Sequence, residues 1–360
     1  TSGGELADNG FDHFVYTGTG ANQSFSNLKF QPDFLWFKSL TRSDSHGVYD
    51  VIRGRASNLY PDANWAENTS GAGADLASFD SNGFTLGGVQ QTALNRSGED
   101  YIVWAWKAGG SPSTNTDGNI NSQVSVSTAY GFSVVKYTGD GSTSGSVGHG
   151  LGSTPKMVIV KRIDGVNDWK VRHTSLGSTE MMSLNESYAA GVASWNGETS
   201  SVFYPARSGD TYNNISNANY IAYCWSEVPG FSKFGSYAGS SGNLSITTGF
   251  KPAYIIIKSN DTAGQEWIIK SAARGGGKYV MAELPDAEST GRNVTFDSNG
   301  FTLSPGSGAT NYSGRNYVYA AFAEGSSADI DSLLDSPTNY EADSGNNGGN
   351  YATWNPLYGI

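Results

Sequence analysis

The sequence predicts an all-β protein: three tandem antiparallel β-sandwich repeats, jelly-roll-like, followed by an extended C-terminal segment. Three observations carry that expectation. The octapeptide Phe79-Asp80-Ser81-Asn82-Gly83-Phe84-Thr85-Leu86 returns residue for residue at Phe296–Leu303, which marks an internal repeat. A proline-led apolar run occurs three times, at Pro32–Lys38, Pro155–Lys161 and Pro252–Lys258. The 360 residues include 47 Gly, 20 Tyr and 16 Phe, and only 15% are charged, a composition that favours short strands and tight turns over helices.

Taken in order, each unit opens on a short strand that ends in a Gly-rich turn: Gly10-Phe11 to Tyr16-Thr17-Gly18, Gly131-Phe132 to Tyr137-Thr138-Gly139, and Gly230-Phe231 to Tyr237-Ala238-Gly239. The proline-led strand follows. Pro stands where a strand tolerates a missing N–H, and the continuous apolar run implies burial on both faces. Trp36 shares its position with Ile159 and Ile256, so it reads as core. The lysine closing each run, Lys38, Lys161 or Lys258, is expected at a solvated strand end with a packed stem.

A further strand begins at Asp168-Trp169 and at Glu266-Trp267, with His46 taking the tryptophan position in the first unit. The middle of each unit is the most variable part. The octapeptide comes next in units one and three, its Asn-Gly read as a type I′ hairpin turn with positive φ at both residues; unit two has lost it. Each unit closes on a Tyr-led strand. There, alternation sets Ile102, Trp104 and Trp106 on one face and Tyr101, Val103 and Ala105 on the other.

The expected boundaries are a lead-in over 1–9, repeats over 10–109, 131–229 and 230–325, a Gly/Ser/Pro-containing linker over 110–130, and a Gly/Asn-rich tail over 326–360. With no linker between them, units two and three are expected to form a rigid pair, and unit one to be attached more loosely.

A net charge of −11 argues against binding nucleic acid through its phosphates, and no apolar run is long enough for insertion into a membrane. The four histidines, His13, His46, His149 and His173, show no metal-ligand spacing. No nucleophile elbow or phosphate loop appears. The reading is therefore non-enzymatic: no catalytic residues, no metal, no cofactor. Six of the nine tryptophans occupy repeated strand positions, and Trp354 belongs to the tail. Trp65 and Trp195 remain, in loops that differ between units, as the candidate stacking faces for a glycan.

The Gly-Phe…Tyr-Thr-Gly opening, Val147-Gly148-His149-Gly150-Leu151-Gly152, the proline-led strand and Ser-Asn-Gly-Phe-x-Leu together resemble a tandem-repeat β domain of unknown function found in marine bacteriophage tail fibre and appendage proteins. The tail, Asp335-Ser336-Pro337 to Trp354-Asn355-Pro356-Leu357, looks like the segment that precedes a lectin-like sandwich in such proteins. The resemblance implies a structural protein of the virion, in a tail fibre, spike or other host-facing appendage. It further implies other virion proteins and a host cell-surface glycan as partners, and a homo-oligomer, often a trimer. Three repeats in one chain could instead imitate a trimer within a monomer. The alternatives are a carbohydrate-binding module array of a secreted bacterial protein and a glycan depolymerase.

Overall fold

The Tyr-led strand is the most apolar element of its unit, and a strand buried on both faces is best placed where both edges are also hydrogen-bonded. The computed structural model, which describes residues 10–70, 75–88, 94–207, 209 and 211–323, puts it there each time. In unit one the order across the sheet is Phe11–Thr17, Asp100–Trp106, Phe34–Ser39, Gly47–Asp50. Unit two repeats it with Phe132–Thr138, Asn219–Trp225, Met157–Arg162 and Lys170–His173. Unit three does so with Ser232–Ala238, Asn316–Ala323, Pro252–Ser259 and Ile268–Ser271. All strands in these sheets pair antiparallel, and the regular elements are strands apart from one 3-10 turn at Ala272–Arg274. The lead-in and the tail lie outside the described residues.

The alternation read from the sequence decides which core each side chain joins. Tyr101, Val103 and Ala105 pack with Leu35, Phe37, Phe84 and Leu86 inside unit one's own sandwich. Ile102, Trp104 and Trp106 face the other way, into one large cluster that also holds Phe132, Ile159, Tyr223 and Trp225 of unit two and Tyr254, Ile256 and Phe322 of unit three. The three main sheets thus turn one face each toward a common core. Equivalent residues meet at its centre, where Trp36, Ile159, Ile256, Trp106, Trp225 and Phe322 line a small apolar void of about 20 Å³. Unit one is therefore not loosely attached; it contributes to the shared core as fully as the other two.

A smaller sheet covers the outer face. In unit one it runs Gln23–Phe25, Gly83–Leu86, Leu76–Asp80, and in unit three Leu244–Thr247, Gly300–Leu303, Val294–Asp297. Among the described residues, unit two has here only Val147–Gly148 against Val202–Phe203.

The octapeptide makes the hairpin of this layer, but not with the expected turn. Asp80 pairs with Gly83, and Asp297 with Gly300, so Ser-Asn is the two-residue loop. Among the described residues only Asn217 and Arg292 are non-glycine residues with positive φ, so the loop is not type I′. The glycine is required by a neighbour. A Cβ on Gly83 would lie 1.8 Å from the Phe25 carbonyl oxygen, and one on Gly300 2.0 Å from that of Ile246. Thr85 then bonds Asp80 at 2.8 Å and Thr302 bonds Asp297 at 2.7 Å, locking the same hairpin twice.

The expected linker is also structure. Ser122–Ser127 pairs with the opening strand of unit two, and Ser113–Asn115 pairs with it in turn, extending that sheet to eight strands. Val124 is buried on it and Gln123 exposed, while Ser125 is buried on the other face, where its Oγ accepts from Gly109 N at 3.0 Å. Asp33 fixes the exit from unit one by accepting from the backbone N–H of Ala108 (2.7 Å) and Gly110 (3.2 Å).

Candidate functional site

Three seams join the units, and they are built from equivalent residues. The position shared by His46, Trp169 and Trp267 is buried in each copy. Its backbone N–H donates to a side chain sixteen residues on: Asp62 (3.0 Å), Asn185 (2.8 Å) or Glu283 (3.0 Å). Its ring N–H crosses to the neighbouring unit. Trp169 Nε1 of unit two donates to the carbonyls of Tyr60 and Ala63 in unit one at 2.9 and 3.1 Å. Trp267 Nε1 of unit three donates to Ser183 O in unit two at 2.9 Å. His46 Nε2 of unit one reaches Met281 O and Leu284 O in unit three at 3.0 and 3.2 Å. The three contacts run head to tail and close a ring.

A second set of equivalent bonds reinforces it. Glu67 N donates to Ile163 O, Ala190 N to Asn260 O, and Glu288 N to Leu40 O, at 2.8 to 2.9 Å. Each acceptor lies two residues beyond the strand-closing lysine. Lys38, Lys161 and Lys258 are fully buried rather than solvated, because the seams cover the strand ends. Lys161 Nζ donates to Asn64 O (3.2 Å) and Asn167 O (2.8 Å), and Lys258 Nζ to Ser187 O (3.3 Å) and Ser259 O (3.1 Å). Lys38 Nζ bonds Ser39 O at 2.6 Å. Burial pushes Lys38 and Lys258 down to about 8 and Lys161 to about 7. Burial also pushes the Glu283 carboxyl up to about 8.

These clamps hold one short loop at each seam, and its middle residue points to solvent. That residue is Trp65 at the first seam, 55% exposed, and Tyr188 at the second, 62% exposed. At the third it is Asp286, also exposed. An alanine follows in all three: Ala66, Ala189 and Ala287. Trp65 rests edge-on against Tyr60, ring centroids 5.5 Å apart. Beside Tyr188, a cleft of about 200 Å³ is lined by Asn185, Glu186, Ser187 and Glu266.

Trp195, the other stacking candidate, is fully buried. It stacks on Phe203 (5.5 Å between centroids, 8° between planes), and its Nε1 donates to Glu198 at 2.7 Å. The reason lies in the missing hairpin. Unit two's outer layer has two short strands where the others have three, and Trp195 fills the sandwich core there with Phe203 and Tyr137. It offers no face to a sugar.

Tyr188 was missed by sequence reasoning. The signal was present as a spacing: Asp62-x-x-Trp65-Ala66, Asn185-x-x-Tyr188-Ala189, Glu283-x-x-Asp286-Ala287.

All four histidines are held by backbone. His149 Nδ1 accepts from Leu151 N at 3.2 Å, His173 Nε2 meets Tyr319 O at 3.0 Å, and His13 Nε2 accepts from Ala273 N at 3.2 Å. The Arg53 side chain is buried and pairs with Asp50 (2.6 Å) and Glu67 (3.0 Å) beside Tyr223 of unit two. No group of three His, Cys, Asp or Glu able to hold a metal occurs among the described residues.

Fold and seams define a closed ring of three β-sandwich units with exposed aromatic residues carried on clamped loops. The chain belongs to the family described as domain of unknown function DUF7483, which matches residues 8–326. The match spans all three units together, so the family's domain is the whole ring and not one repeat. No curated protein matches the sequence.

Proposed function

We propose that this chain is a non-enzymatic attachment scaffold of a bacteriophage virion, part of a tail fibre, spike or other host-facing appendage, and that it binds a host-surface glycan through its seam loops. One observation carries the binding part. Trp65 and Tyr188 occupy equivalent positions, both exposed, on loops whose backbone is pinned on both sides. A large aromatic ring in water with a fixed backbone is a preorganised platform for the apolar face of a sugar. The buried seam positions keep one bonding role between copies, a ring nitrogen against a neighbouring unit's carbonyl and a side-chain oxygen accepting a backbone N–H, while the exposed one changes from Trp to Tyr to Asp, as a recognition surface can without disturbing the fold. The virion part rests on the sequence resemblance. Other virion proteins are then further partners, and the protein resides in the particle.

A glycan array probed with the purified chain tests the binding. Trp65→Ala and Tyr188→Ala should each weaken binding at least fivefold with little change in melting temperature. Trp195→Ala should do the reverse, costing about 3–5 kcal/mol of stability. Unchanged glycan binding in the Trp65→Ala, Tyr188→Ala double variant would refute the platform. Mass spectrometry of purified particles tests the location and separates this reading from a module array of a secreted bacterial protein.

A further inference from the structure

Unit two carries a cleft of about 230 Å³ bordered by Asp168, Lys170, Val192, Ser194, Tyr212 and Asn213. We propose that it is a subsite for a single neutral pyranose ring, a proposal that rests on the glycan reading above. The argument starts from a pair the fold does not need. Asp168 and Lys170 flank Trp169; the equivalent pairs are Ser45 and Gly47 around His46, and Glu266 and Ile268 around Trp267. Both other units build the same strand and the same seam without an acid–lysine pair.

The pair is set for a diol. Lys170 Nζ lies 3.1 Å from Asp168 Oδ2, a donor and an acceptor side by side. A hydroxyl is both donor and acceptor, so one of two vicinal hydroxyls can donate to the carboxylate while its neighbour accepts from the ammonium, through charge-assisted bonds. Both side chains are fixed beforehand. Asp168 Oδ1 accepts from Asn185 Nδ2 at 3.1 Å, and Lys170 Nζ also donates to Ser183 Oγ at 2.9 Å. Tyr212 joins them: its hydroxyl accepts from Asp168 N at 3.1 Å, and its ring lies 5.1 Å from Lys170 Nζ. Exposed Val192 (62%) and exposed Tyr212 supply apolar surface for the C–H face of the ring. One carboxylate against one ammonium leaves no net charge to favour an acidic or an amino sugar.

The cleft also adjoins the first seam. Asn167, next to Asp168, donates its backbone N–H to Asn64 O at 2.9 Å, and Asn64 precedes Trp65.

The test is calorimetric or saturation-transfer binding of methyl hexosides and methyl hexuronates to the full chain. A neutral hexoside should bind in the millimolar range and better than a hexuronate. Lys170→Ile, which installs the side chain of the unit-three copy, should weaken it at least tenfold, as should Asp168→Asn, which keeps the shape. Trp65→Ala should lower the affinity for oligosaccharides long enough to reach from the cleft to the first seam. No saturable hexoside binding, preference for the hexuronate, or binding indifferent to both cleft variants would overturn the subsite. Hexoside binding lost in the cleft variants, with Trp65→Ala and Tyr188→Ala silent on the array, would keep the subsite and remove the platforms.

Discussion

His46 closes the ring, and its chemistry makes the seam between units one and three sensitive to acid. Trp36 Nε1 donates to His46 Nδ1 at 2.8 Å, which requires a lone pair on Nδ1. Nε2 therefore carries the proton and donates to Met281 O and Leu284 O. A second proton would place an N–H on Nδ1 against the N–H of Trp36, in a fully buried site close to Lys38. Burial first, then the Lys38 charge, push the imidazole down to about 3 from its ordinary value of 6.5. The folded value is depressed, so the stabilisation is complete above pH 6.5 and is lost as pH falls through the folded value. The unfolded chain takes up a proton that the folded chain refuses, at about 1.4 kcal/mol per pH unit, or about 5 kcal/mol over the full interval. His46→Gln isolates this contribution, because an amide offers one acceptor and one donor and does not titrate. Urea unfolding at pH steps from 7 to 4 should show a slope of stability against pH that is shallower in the variant by about 1.4 kcal/mol per unit between pH 6 and 4. The other histidines and the carboxylates cancel in the difference. Identical slopes would refute the assignment of the proton and with it the account of the seam.

Two further predictions concern single positions. Gly83→Ala should cost about 3 kcal/mol or more, because the Cβ meets backbone and not a yielding side chain, whereas Gly191→Ala, with nothing within 4 Å, should be near neutral; equal melting temperatures would refute the close approach. Lys161 is depressed to about 7, so its contribution to stability should rise from pH 7 to 10 by about 1.4 kcal/mol per unit, and urea midpoints of Lys161→Met should lack that rise.

Much of the fold was legible because strands obey local rules. Alternation assigned Ile102, Trp104 and Trp106 to one face and Tyr101, Val103 and Ala105 to the other, and the two sets do lie in different cores. The match of His46 with Trp169 and Trp267 was also legible, because each stands eight residues before a glycine, Gly54, Gly177 or Gly275. What those side chains touch was not. Their acceptors are backbone carbonyls of another unit, more than eighty residues away in sequence, and a carbonyl has no residue type to read. The same blindness affected the lysines, which bond carbonyls and so resemble solvated lysines in sequence. Trp195 was misread because its segment lacks the hairpin pattern, and a lost strand looks like a loop until the side chain filling its place is seen.

The ring also bears on assembly. A homotrimer repeats one seam three times, so any change made at one must suit all three. This chain has three unlike seams, with His, Trp and Trp at the ring nitrogen, Asp, Asn and Glu at the capping side chain, and Trp, Tyr and Asp at the exposed position. Such divergence is open only to units joined in one chain. The quasi-threefold arrangement that the family likeness associates with trimers is thus built internally, and its hydrophobic faces are turned into the common core instead of toward a second copy. We therefore expect the purified chain to be a monomer in solution, against the homo-oligomer implied by the sequence resemblance. Light scattering coupled to size exclusion should give a mass near 38.1 kDa at micromolar concentration. A stable species of three chains would show that the internal ring does not replace a trimer, and that a further face of each unit, outside the seams described, is built for self-association.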